Sequence, residues 1–489
     1  MKLPLLSLFS LHLLSLALTA EEIVLRAVSP RDQVPRGIWW SVYGDAKLDA
    51  LIREAGSANQ DLRAAVFRFD QARAGARIAR SDFFPTVSAR AEVTHQSFSG
   101  NTTVPFDPNG QIFRGWNYSV PLDVSYEIDL WGRVRLAHQA AVQDAASAAA
   151  TMQHVLLSVQ SEVAQNYFRL RALDAEITAS ERAVALLTES QNITVRRQKS
   201  GTATDFEVAR ASAELAGQKG EISGLRAQRD QLKNAIAVLL GRRAQTFEIS
   251  ADANKIPPVP VVPKSLPSDL LERRPDIAAS ERALASSLNE LGVAKLAGYP
   301  SLRLTANTGF ASGNVNNLFA VGSERWIIGP TLNIPIFSGG RDRANLEAKR
   351  AAADVALAQY RQSVLTAFAE VDNQMTAIDR LEEQLGFQRE SLAQAEKARE
   401  LAKTRYDKGV GLYQDLLEAE RNAIRAERSL CQLRGQHLIA SVTLIKALGG
   451  GWNQKMPAVI PDLKSDPDSQ TENAAAPKKN IFQRLFQRG

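Results

Sequence analysis

Residues able to do chemistry are present in ordinary numbers, but their spacing organises none of them into a reactive site. The five histidines, His12, His95, His138, His154 and His437, include no pair spaced to put two imidazoles on one helical face around a metal. The single cysteine, Cys431, lies inside a helical pattern and reads as a small packing residue. Alone, it allows neither a disulfide framework nor a thiolate metal cluster. No phosphate-cradling Walker loop, no G-x-S-x-G nucleophile turn and no dinucleotide-binding glycine fingerprint occurs. Carboxylates are plentiful, yet they are spread along helical faces with no reason to pair two of them for acid–base work. The sequence thus offers no catalytic, cofactor-binding or metal-ligating set, and an enzyme is not expected. The 59 basic and 53 acidic residues leave a net charge of +6, with both signs interspersed along helical stretches. That is a solvated, salt-bridged surface and not a nucleic-acid footprint.

What the sequence does carry is a pattern of elements. From Trp116 to Leu130 every even position is apolar or aromatic, while the odd positions include Asn117, Ser119, Asp123, Ser125, Glu127 and Asp129. Period-two alternation of that length places one strand face in an apolar medium and the other in water. Val87, Ala89, Ala91 and Val93 alternate with Ser88, Arg90 and Glu92, and Leu302, Leu304 and Ala306 with Ser301, Arg303 and Thr305. The run WIIGPTLNIPIF alternates more loosely through Leu332, Ile334 and Ile336. Four strands are expected, at about 86–98, 114–130, 301–312 and 325–337, each long enough to cross a bilayer at a tilt. They form two hairpins whose tips, SGNTTVPFDPNG and ASGNVNNLFAVG, suit exposed loops. A soluble four-stranded sheet packed on helices is the alternative.

The chain is also a tandem repeat. DLRAAVFRFDQARAGARIARSDFFPTV and DIAASERALASSLNELGVAKLAGYPSL are offset by 215, from Asp61 to Asp276 and from Pro85 to Pro300. Further on the offset is 208: Gly132 matches Gly340, Gly201 matches Gly409, Glu207 matches Asp415 and Leu240-Gly241 matches Leu448-Gly449. Each repeat reads helix, strand, strand, long helix, helix. The short helix is expected to start with an aspartate as N-cap, Asp61 or Asp276, and to stop before proline. After Gly132 no proline or glycine occurs through Lys199, enough for roughly 100 Å of continuous helix. From Arg341 to Lys408 only Gly386 interrupts. Helical hairpins of that length have no globular core to fold around and must pack sideways on similar hairpins.

These readings divide the chain into a secretory signal at 1–20, an equatorial N-terminal segment at 21–60 and repeat 1 at 61–241 with its helical hairpin at about 131–241. A proline-rich linker at 242–275, repeat 2 at 276–450 with its hairpin at about 339–449, and a partly disordered tail at 451–489 complete it. No later stretch holds 18 consecutive apolar residues, so a membrane must be crossed by strands. Four such strands leave two open edges that hydrocarbon does not tolerate, and they are too few to enclose a lumen. Cyclic closure seals them: three copies would give twelve strands continuous with a twelve-helix tube, and on this argument alone two copies stay open as the alternative.

Several strings then carry a resemblance: WWSVYGDAKLDALI, EIDLWGRVR, LPSDLLERRPDIAASE, GPTLNIPIFSGG, RYDKGVGLYQDLLEAE and LIKALGGGW. Over roughly residues 38 to 452 the chain resembles the outer-membrane factors of the TolC and OprM class, and more closely the NodT-like efflux outer-membrane proteins. The resemblance implies a homotrimer in the bacterial outer membrane, with a transmembrane β-barrel and an α-barrel reaching through the periplasm. It also implies a periplasmic membrane-fusion adaptor and an inner-membrane pump of the resistance-nodulation-division class as partners, with outer-membrane lipid around the barrel. The resemblance further implies a passive duct whose cargo is small molecules. A type I secretion duct for protein and a periplasmic coiled-coil scaffold are the alternatives. In the family the periplasmic tip is closed by inter-helix contacts and carries acidic residues at its narrowest ring; the motif matches at Asp415 and Glu418, three apart on one helical face. From the residues alone, both could equally serve the helix dipole. Tyr406, and Glu207 from the first repeat, fall where the family places gate-linking groups, while Gly411 stands where some members carry a gate-tying arginine. Many NodT-like members are acylated on a cysteine after the signal. None lies near residue 20 here, so the barrel alone is expected to hold the protein in the membrane.

Overall fold

A computed structural model describes residues 37–97, 114–252, 257–260 and 273–450. The expected signal, the first hairpin tip and the C-terminal tail lie outside the described residues. A 3-10 turn at Trp39–Tyr43 precedes α1 (Ala46–Ala58) and α2 (Gln60–Ser81). Strands β1 (Thr86–Ala89), β2 (Glu92–Ser97) and β3 (Arg114–Ile128) follow, then α3 (Arg133–Lys199) and α4 (Asp205–Leu239). The second repeat runs α5 (Pro275–Leu296), β4 (Ser301–Ser312), β5 (Glu324–Asn333), α6 (Arg341–Asp407) and α7 (Tyr413–Ala447). The duplication is visible in the lengths. Helices α2 and α5 have 22 residues each, α3 and α6 have 67, and α4 and α7 have 35.

The short helices do not start as expected. Asn59, not Asp61, caps α2, accepting from Leu62 N at 2.9 Å. In the second repeat Pro275 opens α5 with its fixed φ, and Asp276 is held by the Arg274 guanidinium at 3.1 and 2.6 Å. Both aspartates lie in first turns, where a carboxylate still meets the positive end of the dipole.

The sheet is antiparallel, in the order β1/β2, β3, β4, β5. The strand expected at 86–98 is interrupted at Arg90 and Ala91, although β1 and β2 keep one register on β3. The cause lies across the ladder. Arg90 N donates to Pro121 O at 3.0 Å, but proline has no N–H to return the bond. The last strand stops at Asn333 instead of 337, because Pro335 cannot donate either; Ile334, Ile336 and Phe337 are exposed beyond it.

Cross-strand partners share a face, so the register fixes what each side presents. Val87, Val93, Trp116, Leu122, Val124, Leu304, Trp326, Ile328 and Leu332 fall on one side. Trp326 is 73% exposed and Ile328 is 62% exposed. Arg90, Asp123, Glu127, Arg303 and Asn307 fall on the other. There Asn307 donates to Asp123 at 2.5 Å and Arg133 grips both oxygens of Glu127 at 2.8 Å. Among the described residues no helix packs across either face. The soluble sheet packed on helices is therefore not the fold.

Helix α3 packs against α4 on one side and α7 on the other, and α6 lies beyond α7. Helices α2 and α5 flank α3, and α5 also meets α6. Among the described residues no helix is long and apolar enough to cross a membrane. The main core gathers at mid-height, where Trp39, Leu48, Ile52, Tyr167, Phe168, Ile236, Leu438 and Val442 are buried together. Each large side chain there stabilises the fold by about 1.5–3 kcal/mol.

Gly309 faces Pro121 in the centre of the sheet, and a Cβ there would lie 2.1 Å from the Val120 carbonyl oxygen. Gly309→Val is expected to destabilise the sheet by about 1–3 kcal/mol. The check is the midpoint temperature at which the strand signal in circular dichroism is lost; an unshifted midpoint would contradict the packing.

Candidate functional site

The helical hairpins end in two matched turns. Helix α3 closes with Gly201 in the left-handed region (φ 73) and with Thr202 N donating to Arg197 O at 2.8 Å. Helix α6 closes in the same way on Gly409 (φ 76), with Val410 N donating to Arg405 O at 3.0 Å. The return helices start differently. Thr204 and Glu207 form a capping box on α4, with Thr204 N donating to Glu207 Oε2 at 2.8 Å. No side chain caps α7, whose first-turn acid is Asp415.

Between the two turns lies a clasp. Tyr406 is only 3% exposed. The Arg197 guanidinium sits 4.1 Å over its ring and donates to its carbonyl oxygen. Its hydroxyl is 3.4 Å from Thr194 Oγ1, and its ring is 5.6 Å from that of Tyr413. Leu187, Leu215, Leu416 and Leu417 close the apolar cluster beneath. Burial pushes the Tyr413 hydroxyl above its ordinary range. The end of α3 is thereby tied to the end of α6 by cation–π, hydrogen-bond and apolar contacts at once.

The four residues singled out in the sequence separate in space. Tyr406 belongs to the clasp. Glu207 is engaged in its own helix cap. Asp415 and Glu418 are exposed on α7 and make no ion pair among the described residues of the protomer. A side chain at Gly411 would meet Arg405 Cβ at 3.0 Å and Tyr406 N at 3.1 Å, so an arginine there requires the turn to move. Arg197 supplies a guanidinium from the other hairpin. Sequence reasoning missed that role, because a basic residue in a last helical turn usually signals only the dipole.

Further ion pairs link the hairpins above the clasp. Lys403 reaches Glu189 at 3.1 Å, Arg428 reaches Glu176 at 2.8 Å and also pairs with Glu221, and Arg421 pairs with Glu214. The exposed ones contribute at most about 1 kcal/mol each.

Losing the Arg197 stack and its charge-assisted hydrogen bond should loosen the turns by about 2 kcal/mol. Hydrogen exchange of Arg197→Ala is expected to speed up in residues 195–204 and 404–412 and to stay unchanged at mid-height. Lys at this position should rescue only partly, since it lacks the planar face.

Comparison with known proteins places this geometry. The family model described as outer membrane efflux protein matches residues 51–242 and 266–450. The toluene efflux pump outer membrane protein TtgC of Pseudomonas putida is 34% identical over 423 residues, covering 85% of this chain and 86% of its own. Among solved structures, the outer-membrane channel OprN superposes with a TM-score of 0.80 at 29% identity, covering 87% of this chain and 94% of that one. The outer membrane protein VceC from Vibrio cholerae gives 0.78 at 27%, covering 86% and 100%. Two family-matched repeats, a sheet with one bare apolar face and long helical hairpins identify the chain as a member of the outer membrane efflux protein family, an outer-membrane efflux channel with a periplasmic helical extension.

Proposed function

We propose that three copies of the chain close into a twelve-stranded barrel continuous with a twelve-helix tube, forming the passive exit duct of a tripartite efflux pump. The observation that carries this is the placement of the open edges. In the sheet they are β1/β2 and β5; in the helical layer they are α4 and α6. Each edge of one copy can meet the opposite edge of the next at both levels, the head-to-tail contact that closes a ring. The bare apolar face then meets lipid, and the face bearing Arg90, Asp123, Glu127 and Arg303 lines a watery lumen.

A periplasmic membrane-fusion adaptor and an inner-membrane pump of the resistance-nodulation-division class supply cargo and energy in this reading. The cargo is small apolar or amphiphilic molecules, a class to which the toluene of the TtgC pump's name belongs. The tips form the periplasmic gate. Asp415 and Glu418, exposed on the first turns of α7, project as a threefold carboxylate ring that selects cations. Tyr406, held by Arg197, ties neighbouring hairpins shut, and Glu207 fixes where α4 starts.

Neutralising the ring with Asp415→Asn and Glu418→Gln together is expected to raise single-channel conductance in planar bilayers and weaken block by multivalent cations. Unaltered conductance and block would reduce both residues to helix-start charges. A chain that stays single-copy in detergent would remove the duct itself.

A further inference from the structure

Behind the proposed ring, one acidic side chain is out of place. Glu420 sits on the second turn of α7, and at 100° per residue it points roughly opposite to Asp415 and Glu418. It is 6% exposed, and its Oε2 has no hydrogen-bond partner. It lines a cleft of about 580 Å³ between α3 and α6, floored by α7. A carboxylate in that position is costly unless it is paired or protonated.

The surrounding charges do not pair it. From α3, Glu189 faces the cleft but is bound to Lys403 at 3.1 Å. From α4, Glu214 is engaged by Arg421. On α6, Lys397, Arg399 and Lys403 are offset by Glu396, Glu400 and Asp407, and none of the three cations donates to Glu420 Oε2. On α7 itself the buried Tyr413 is close enough for its hydroxyl to feel the Glu420 charge.

We propose that Glu420 is a proton-sensitive latch of the tip: protonated, it lets α3, α6 and α7 stay packed, and on losing its proton it drives them apart. The proposal rests on the reading of the tip as the gate. Burial, only partly relieved by Arg399 and Lys403, pushes its carboxyl from the ordinary 4.5 up to about 7. An opened tip returns the group to water and to the ordinary value, so the packed tip holds the proton more tightly. The packed form is favoured in full below about pH 4.5, and that preference is lost as pH rises through about 7.

The test records conductance of the full-length reconstituted trimer from about pH 5 to about pH 8. In the wild type the open fraction should rise with pH, by at most about tenfold per unit for each protomer. Glu420→Gln, neutral and of the same shape, should stay at the low-open level throughout. Wild type and Glu420→Gln sharing one pH profile would overturn the latch. A second measurement needs no change at Glu420: the distance between spin labels at Lys199 and Lys408 should widen as pH rises, and a constant distance would count against the proposal. Arg197→Ala separates the two readings. If it opens the channel while pH has no effect, the latch fails and the gate stands. If neither has any effect, the gate fails and the latch with it.

Discussion

The rest of the structure depends on backbone that one chain leaves unpaired. Strand β3 is bonded on both sides, whereas β1/β2 and β5 each present a row of free N–H and C=O groups. In hydrocarbon every such group costs several kcal/mol, far more than any surface ion pair recovers. Nothing within the described residues covers either edge or the apolar face. In the proposed ring, assembly is consequently part of folding for this chain. The helical layer follows the same logic with weaker forces, since α6 leaves Leu365, Phe368 and Phe387 exposed along its length.

Much of this was legible in the residues. Alternation around Trp116–Leu130 gave the two-faced sheet, because a strand between lipid and water has a period that chemistry cannot blur. The 208-residue offset gave two helices of equal length, since a run of 67 residues without proline has few other options. What escaped was set across the chain rather than along it. Pro121 breaks the hydrogen-bond ladder at Arg90, well separated from it in sequence, and only the register reveals that they are opposite. Asn59 displaced Asp61 as a cap because capping depends on which side chain reaches the free N–H groups first. Arg197 was invisible as a clasp, because its partner Tyr406 lies 209 residues away. Glu420 looked like any other helical carboxylate until its burial was known.

The distribution of packing explains how such a tube could open without falling apart. At mid-height Trp39, Tyr43, Tyr167 and Phe168 are buried, and Tyr167 donates to Asp45 at 2.6 Å while Asp45 caps α1. A second buried network ties Asp174 to Arg171 at 2.9 Å and to Arg229 at 2.6 Å. Removing any one partner there strands a buried charge, a change worth about 3–5 kcal/mol, so this level resists motion. The tip is built otherwise. Its apolar cluster is small and its ion pairs are largely exposed.

Local opening free energy follows the contacts broken, and the tip breaks few. Separating α3 from α6 there requires releasing Arg197 from Tyr406 and rehydrating a handful of leucines, while the mid-height core keeps the hairpins in register. A long helix transmits that small displacement as a rigid rod, so the lever is the length itself. The same 67 residues that let the chain reach through the periplasm also place the weakest packing as far as it can be from the barrel. In the proposed duct, a gate at that end would respond to a partner worth a few kcal/mol without disturbing the membrane seal.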